Sequence, residues 1–171
     1  RTTTPAQVFD AVLEVAEWFA PVDFGAVTLA SEADGRRRHE VVRAASGAGG
    51  ERRVSELEGL SFDDNPGLVA AAVRLGSALP GTAIRVADAL VLDGSTRLRG
   101  ISSLKILPLK TGERVLGTLV LGSRRDRAFG RDAVRQLEVL AMQAADALLR
   151  INEAGEAGKR LAAAPAALAG W

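Results

Sequence analysis

The chain of 171 residues carries 22 lysines and arginines against 21 aspartates and glutamates, so no global field recruits nucleic acid or an anionic membrane. It has no cysteine and a single histidine, His39, which excludes disulfides, thiolate chemistry, thioether-tethered cofactors and multi-histidine metal sites. Nearly half apolar and a quarter charged, it reads as one globular domain with an extension, long enough to bury a core.

Lysine occurs only at 105, 110 and 159, and arginine with abundant alanine and glycine is the usage of a GC-rich bacterial genome. The sequence opens at Arg1, with neither a signal peptide nor an apolar run of spanning length. We therefore expect a cytoplasmic piece of a longer protein.

In chain order, "TTTPAQVFDAVLEVAEWFA" opens with a start signal: Thr4 can cap, Pro5 suits the first helical position, and Gln7 completes a capping box. Val8, Val12, Val15 and Phe19 form a stripe, so an amphipathic helix is predicted, ended by Pro21. "DFGAVTLA" predicts a strand with Gly25, Val27 and Leu29 on one face and Phe24, Ala26 and Thr28 on the other. "SEADGRRR" is a polar hairpin loop with an Asp-Gly turn, and "HEVVRAAS" is the partner strand. "GAGGERR" is a break. From Leu57 to Leu79 a loop leads into a short helix, capped by Asn65 or Asp64, packed through Leu68, Val69, Ala72 and Val73, and stopped at Gly76.

"AIRVAD" predicts a short third strand, and "ALVLDGSTRLRG" a connection with room for one helical turn. "ISSLKILPLK" and "RVLGTLVLGS" predict a hairpin. The second strand is apolar on both faces, Val115, Leu119 and Leu121 against Leu116 and Val120, as in the middle of a covered sheet. A long helix is expected from about Asp132 to Glu153. Its seam of Val134, Leu137, Ala141, Ala144, Leu148 and Ile151 is widened by Ala133, Leu140 and Ala147. That surplus serves either a second subunit or one broad core face.

Several motifs are weighed against simpler readings. Ser102 and Lys105 with Lys110-Thr111-Gly112 spell two marks of penicillin-interacting serine enzymes. That chemistry needs the serine at a helix start, whereas an alternating strand sends Ser102 and Lys105 to opposite faces, so we reject it. "GAGG" lacks the third glycine of a dinucleotide fingerprint, Arg52 standing in its place. Asp63, Asp64 and Asn65 lack the calcium-loop pattern and are read as helix-capping residues. The arginine clusters at 36–38, 52–53 and 124–127 fall in turns without interleaved aromatics, so no nucleic-acid partner is expected. His39 is read as a surface residue at a strand start.

The order helix, hairpin, irregular helical crossover, strand, hairpin, long helix resembles the GAF domain family of sensory modules. The resemblance is carried by "SLKILPLKTGERVLGTLVLGSRRDRAFGRDAVRQLEVLAMQAADALL", with Pro108-Leu109 ending a strand, Gly117 and Leu119 in the next, and Arg127 and Phe129 in the following turn. Leu137, Leu140, Ala141 and Gln143 continue it along the last helix. "GLVAAAVRLGSALPG" and "IRVAD" are similar to the family's helix and third strand, the latter ending at Asp88; the likeness spans residues 4–152.

The resemblance implies an α+β, profilin-like fold. A central antiparallel sheet of five to six strands would carry the N- and C-terminal helices on one face and a helical crossover with loops on the other. Residues 1–153 would form this domain, with 154–171 an Ala/Gly-rich tail or linker. By matching positions, a pocket would draw on Phe62, Leu68, Ala72, Ile84, Val86 and Asp88. It would also take either Leu104 and Ile106 or Ser103 and Lys105 from the next strand, and the sequence leaves that choice open. The same residues read almost equally well as ordinary core. An inward Arg85 or Lys105 would call for an anionic metabolite, because a buried cation needs a partner.

The cyclic-nucleotide signature known in some relatives is absent. A covalent bilin and the family's free methionine sulfoxide reductase activity both need cysteine, and haem would have only His39 to bind. No cofactor is expected. The resemblance then implies a regulatory, small-molecule-binding domain of a bacterial signalling protein, acting through its terminal helices on an output domain outside this chain. The alternative is a ligand-free homodimerisation module with a filled core. An enzyme is the weakest reading, since no nucleophile, base and orienter cluster together. A homodimer is expected through Val8, Val12, Val15, Phe19, Val134, Ala141, Leu148 and Ile151.

Overall fold

The computed structural model describes residues 3–47 and 52–169. Helix α1 (Pro5–Ala16) is followed by strands β1 (Phe24–Ala33), β2 (Arg36–Ser46), β3 (Arg52–Arg53) and β4 (Ser61–Asp63), helix α2 (Leu68–Leu75), strands β5 (Ser103–Thr111) and β6 (Arg114–Ser123), and helix α3 (Arg131–Ala169). The strands form one antiparallel sheet in the order β3-β2-β1-β6-β5, with β4 also on β2. The α+β architecture is the expected one.

Each face of the sheet has its own core. On one side Val27, Leu107, Leu119 and Leu121 meet Val12 and Leu13 of α1 and Leu137, Ala141, Ala145 and Leu148 of α3. On the other, Phe24, Ala26, Val41, Ile106 and Val120 meet Val69 and Ala72 of α2, with Val86 and Leu92 of the crossover. The two faces of β1 divide as its alternation predicts. β6 pairs with both β1 and β5 and lies between the two cores, as its two-sided apolar pattern requires.

Local chemistry explains where the elements start and stop. Thr4 Oγ1 accepts from Gln7 N, while Gln7 Oε1 accepts from Thr4 N, closing the capping box. α1 stops at Ala16, a turn earlier than expected, because Trp18 N and Phe19 N bond back three residues to Val15 and Ala16, tightening the chain ahead of Pro21. The β1–β2 turn is only Asp34-Gly35, both at positive φ (55° and 74°), the geometry of a type I′ hairpin. The polar residues expected to be loop are therefore paired strand, with Glu32 and Arg37 in a cross-strand ion pair.

Other elements depart from expectation. "AIRVAD" is not a strand: the edge of β5 at Ile106 is taken by Leu79, whose N–H and carbonyl both bond to it, and Val86–Asp88 forms a single 3₁₀ turn instead. No helical turn forms within residues 89–100. Neither Asp64 nor Asn65 caps α2; the N-cap is Gly67, and Asn65 Oδ1 accepts from Gly67 N at 2.7 Å while its Nδ2 donates to the Leu92 carbonyl. Gly76 closes α2 at φ 64°, as predicted.

A β-bulge opposite Leu109/Lys110 shifts the register of β6, so Leu116 packs with Leu119 and Leu121 against the terminal helices, whereas Val115 lies beside Gly76 of α2. The expected faces of these two residues are thus exchanged. Of "GAGGERR", residues 48–51 lie outside the described residues, and Arg52–Arg53 pair with β2.

α3 continues through Ala169, beyond the expected end near Glu153. No helix among the described residues is long and apolar enough to cross a membrane. The stripe proposed for a second subunit is largely used within the chain: Val8, Val12, Ala141 and Leu148 are buried, and Phe19 and Ile151 pack against the same core. Val15 and Val134 are half-buried. Facing outward on α3 are Val139 and Met142, each about half exposed.

Candidate functional site

The residues expected to line a pocket divide into two groups. Phe62, Ala72, Val86, Leu104 and Ile106 are buried in the crossover-side core with Leu68 packed against them. Ile84, Ser103 and Lys105 instead border an open cleft of about 390 Å³ at the edge of the sheet, between β5, residues 80–84 and the turn at 126–129, and Leu104 belongs to both groups. Asp88 joins neither group. Its exposed carboxylate pairs with exposed Arg85 at 3.5 Å.

The question left open for β5 has a geometric answer. Leu104 and Ile106 face the crossover, while Leu107 and Leu109 face the terminal helices. Lys105 shares the helix-side parity, but β5 is an edge strand, and the amine reaches round it to donate to the Pro80 carbonyl at 2.6 Å. Ser102 borders the same cleft, which Lys105 enters by reaching round the strand edge. Lys105 bonds to Pro80 rather than to this serine.

Both walls of the cleft are fixed. The Leu79–Ile106 bridge and the Lys105–Pro80 bond hold the crossover wall. On the other wall Ser103 Oγ donates to the Arg125 carbonyl at 2.7 Å and accepts from Ala128 N at 3.3 Å. Arg127 in that turn has φ 53°, a left-handed conformation uncommon outside glycine.

Burial pushes the Lys105 ammonium below its ordinary value, and the more distant Glu138 on α3 only partly opposes this. No carboxylate pairs directly with Lys105 or with Arg127 among the described residues. The cleft brings together two cations, Lys105 and Arg127, with one carboxylate, Asp126; no side-chain hydrogen bond within it pairs a nucleophile with a base among the described residues.

Sequence reasoning missed the environment of His39. Rather than lying at the surface, it is wholly buried on β2, stacked on Phe62 with ring centroids 5.3 Å apart. Its Nε2 is bonded to Asp64 Oδ1 at 2.9 Å, and its Nδ1 has no partner. Burial alone would raise the Asp64 carboxyl, but hydrogen bonds from His39 and Arg74 outweigh it and hold the group below the usual range. Asp63 is taken by Arg38, and among the described residues no cluster of acids and histidine could hold a metal ion.

The chain thus has an antiparallel sheet with its terminal helices on one face, a short-helix crossover on the other, and a cleft at the crossover edge. The chain belongs to the GAF domain family, whose profile matches residues 2–149. Among solved structures it is similar to the GAF-B domain of DevS from Mycobacterium smegmatis, at 22% identity and TM-score 0.62, covering 92% of this chain and 99% of that one. It is also similar to the GAF domain of a two-component sensor histidine kinase from Bacillus halodurans, at 12% identity and TM-score 0.70, covering 90% and 99%. A third is a type II free methionine-R-sulfoxide reductase from Thermoplasma acidophilum, at 14% identity and TM-score 0.64, covering 86% and 93%. At these identities the likeness is one of fold. No curated protein matches the sequence.

Proposed function

We propose that this GAF domain is a non-catalytic regulatory module that binds a small organic acid in the Lys105 cleft. The observation that carries the reading is the half-buried Lys105 ammonium, in an open cleft with only a carbonyl for a partner. A carboxylate there would supply the missing counter-charge, with Arg127 within the same cleft. The complete absence of cysteine supports a binding rather than a redox role.

The output would run through α3. The turn that forms one wall of the cleft leads directly into α3 at Arg131, and this helix continues to Ala169. A ligand that binds one arrangement of the turn more tightly than another biases the position of that helix. Pairing of two copies belongs to this reading, through the outward side of α3 that carries Val139 and Met142.

One observation favours a second reading, a ligand-free pairing module: Phe62, Ala72, Val86 and Ile106 are all buried in the crossover-side core. Native mass spectrometry of the purified chain beside Lys105→Met separates the two. A releasable acid carried by the chain and lost from the variant supports the sensor. A chain that is bare, and stays bare when acetate, pyruvate, succinate and benzoate are added, supports the pairing module.

A further inference from the structure

A second cleft, of about 400 Å³, opens at the other side of the same sheet end, between the start of β1, residues 54–57 and residues 95–101. Its chemistry differs from that of the Lys105 cleft. The floor is apolar: Phe24 is a buried member of the crossover-side core, and Leu57, Leu98 and Ile101 are half-buried against that core. Three arginines, Arg97, Arg99 and Arg124, are among the lining residues, and all three are exposed.

None of these three arginines takes part in an ion pair among the described residues. Two acids share the lining. Asp23 is already engaged, its Oδ2 accepting from Arg124 N at 2.7 Å and from Ser123 Oγ at 3.5 Å, while Glu56 is exposed at the rim.

The loop that carries two of the arginines is held in shape before any ligand arrives. Asp93 Oδ1 accepts from Thr96 N at 2.9 Å and Thr96 Oγ1 at 2.6 Å, and the same side chain accepts from Ser95. These bonds, Thr96 Oγ1 foremost, hold the Asp93 carboxyl below its ordinary range despite partial burial. Arg97 Nη1 donates to the Gly94 and Thr96 carbonyls. A preorganised cationic rim above an apolar floor lowers the ordering cost of binding.

We propose that this cleft is a second binding site, for an amphipathic organic anion whose carboxylate or sulfonate meets the arginine rim and whose apolar body lies on Phe24, Leu57 and Ile101. Guanidinium groups suit it because they offer several donors to one anionic group and are less strongly hydrated than an ammonium. A neutral amphiphile of equal length would gain the floor but not the rim. The site is independent of the Lys105 cleft, and it stands whether or not that cleft is occupied.

The test is displacement of 8-anilinonaphthalene-1-sulfonate from the whole chain by decanoate and by decanol, repeated on the Arg99→Ala/Arg124→Ala and Lys105→Met variants. Both rim side chains are exposed, so the double variant should fold as the parent does, checked by circular dichroism. Saturable dye binding is expected, with decanoate displacing at least about tenfold better than decanol and losing about tenfold or more on removal of the two guanidiniums. Lys105→Met should leave decanoate binding unchanged. The proposal is overturned by absence of saturable binding, by equal potency of the acid and the alcohol, by an unaltered double variant, or by loss of decanoate binding in Lys105→Met.

Discussion

His39 Nε2 lies 2.9 Å from Asp64 Oδ1, and this contact ties β2 to the segment that leads into α2. Arg74 of α2 bonds to Asp64 Oδ2 at 3.3 Å and to the Asn65 carbonyl at 2.9 Å, so strand, loop and helix meet at one carboxylate. Asp64→Ala leaves the wholly buried imidazole without a polar partner and should cost about 2 kcal/mol at neutral pH, read by urea unfolding.

The pH dependence follows from the same group. The folded-state value of Asp64 is depressed, so its contribution is complete above the ordinary aspartate range and disappears as pH falls through the depressed value. The stability difference between the parent and Asp64→Ala should therefore shrink on acidification. A difference that stays constant down to about pH 2.5 would show that the carboxylate charge is not what holds the contact.

Gly117 of β6 faces Leu29 of β1. A Cβ added there would lie 1.9 Å from the Thr28 carbonyl oxygen, which only separation of the central strands can relieve. Gly117→Ala should destabilise by about 3 kcal/mol or more, whereas Gly130→Ala, with open space around it, should stay within about 0.5 kcal/mol. Equal effects in denaturant titrations would contradict this reading of the strand contact.

Thr28 and Thr118 face each other across β1 and β6 with hydroxyls 2.6 Å apart, both fully buried. Either single change to valine strands one hydroxyl in an apolar sheet and should cost about 1–2 kcal/mol. The double change removes both polar groups and should recover most of that loss. A double variant equal to the sum of the singles in a thermodynamic cycle would show that the pair is not coupled.

Lys105 predicts a trade between stability and binding. Its ammonium is depressed by burial, so the unfolded chain holds this proton more tightly, and the stability contribution of this group rises with pH between the depressed value and the ordinary lysine range. At neutral pH the charged amine is therefore a cost. Lys105→Met should stabilise the fold by less than about 1 kcal/mol, because the amine is still partly solvated, and so raise the thermal midpoint slightly. Affinity for a small carboxylate should fall as pH rises through the depressed value, the charged form being the one that binds; calorimetric titration at several pH values checks this.

Much of the architecture was legible because its signals are local. The Thr4–Gln7 capping box, the Asp34-Gly35 turn, the Gly76 stop and the two-sided apolar pattern of β6 each act within a few residues. What could not be read depends on partners distant in sequence. "AIRVAD" was expected to be a strand, but it is Leu79 that bridges to β5, and the bulge at Leu116 is set by pairing with Leu109 and Lys110. His39 looked like a surface residue because nothing nearby announces Phe62 and Asp64, which are more than twenty positions away.

The site was half legible for the same reason. Lys105 could be singled out as a cation on an apolar strand, and whether it faced a cavity depended on β5 being an edge. The arginine-rimmed cleft gave no motif at all, since its floor and rim come from β1, two separate loops and the end of β6.

The most direct test of the central claim uses the scarcity of lysine. With lysines only at 105, 110 and 159, a chain labelled with carbon-13 at lysine Cε gives three signals, assigned by Lys105→Met. The account predicts that one of the four small acids, acetate, pyruvate, succinate or benzoate, shifts the Lys105 signal saturably and raises its titration midpoint, while the other two signals stay in place. A Lys105 signal that never moves, or three signals that drift together without saturating, would contradict the account.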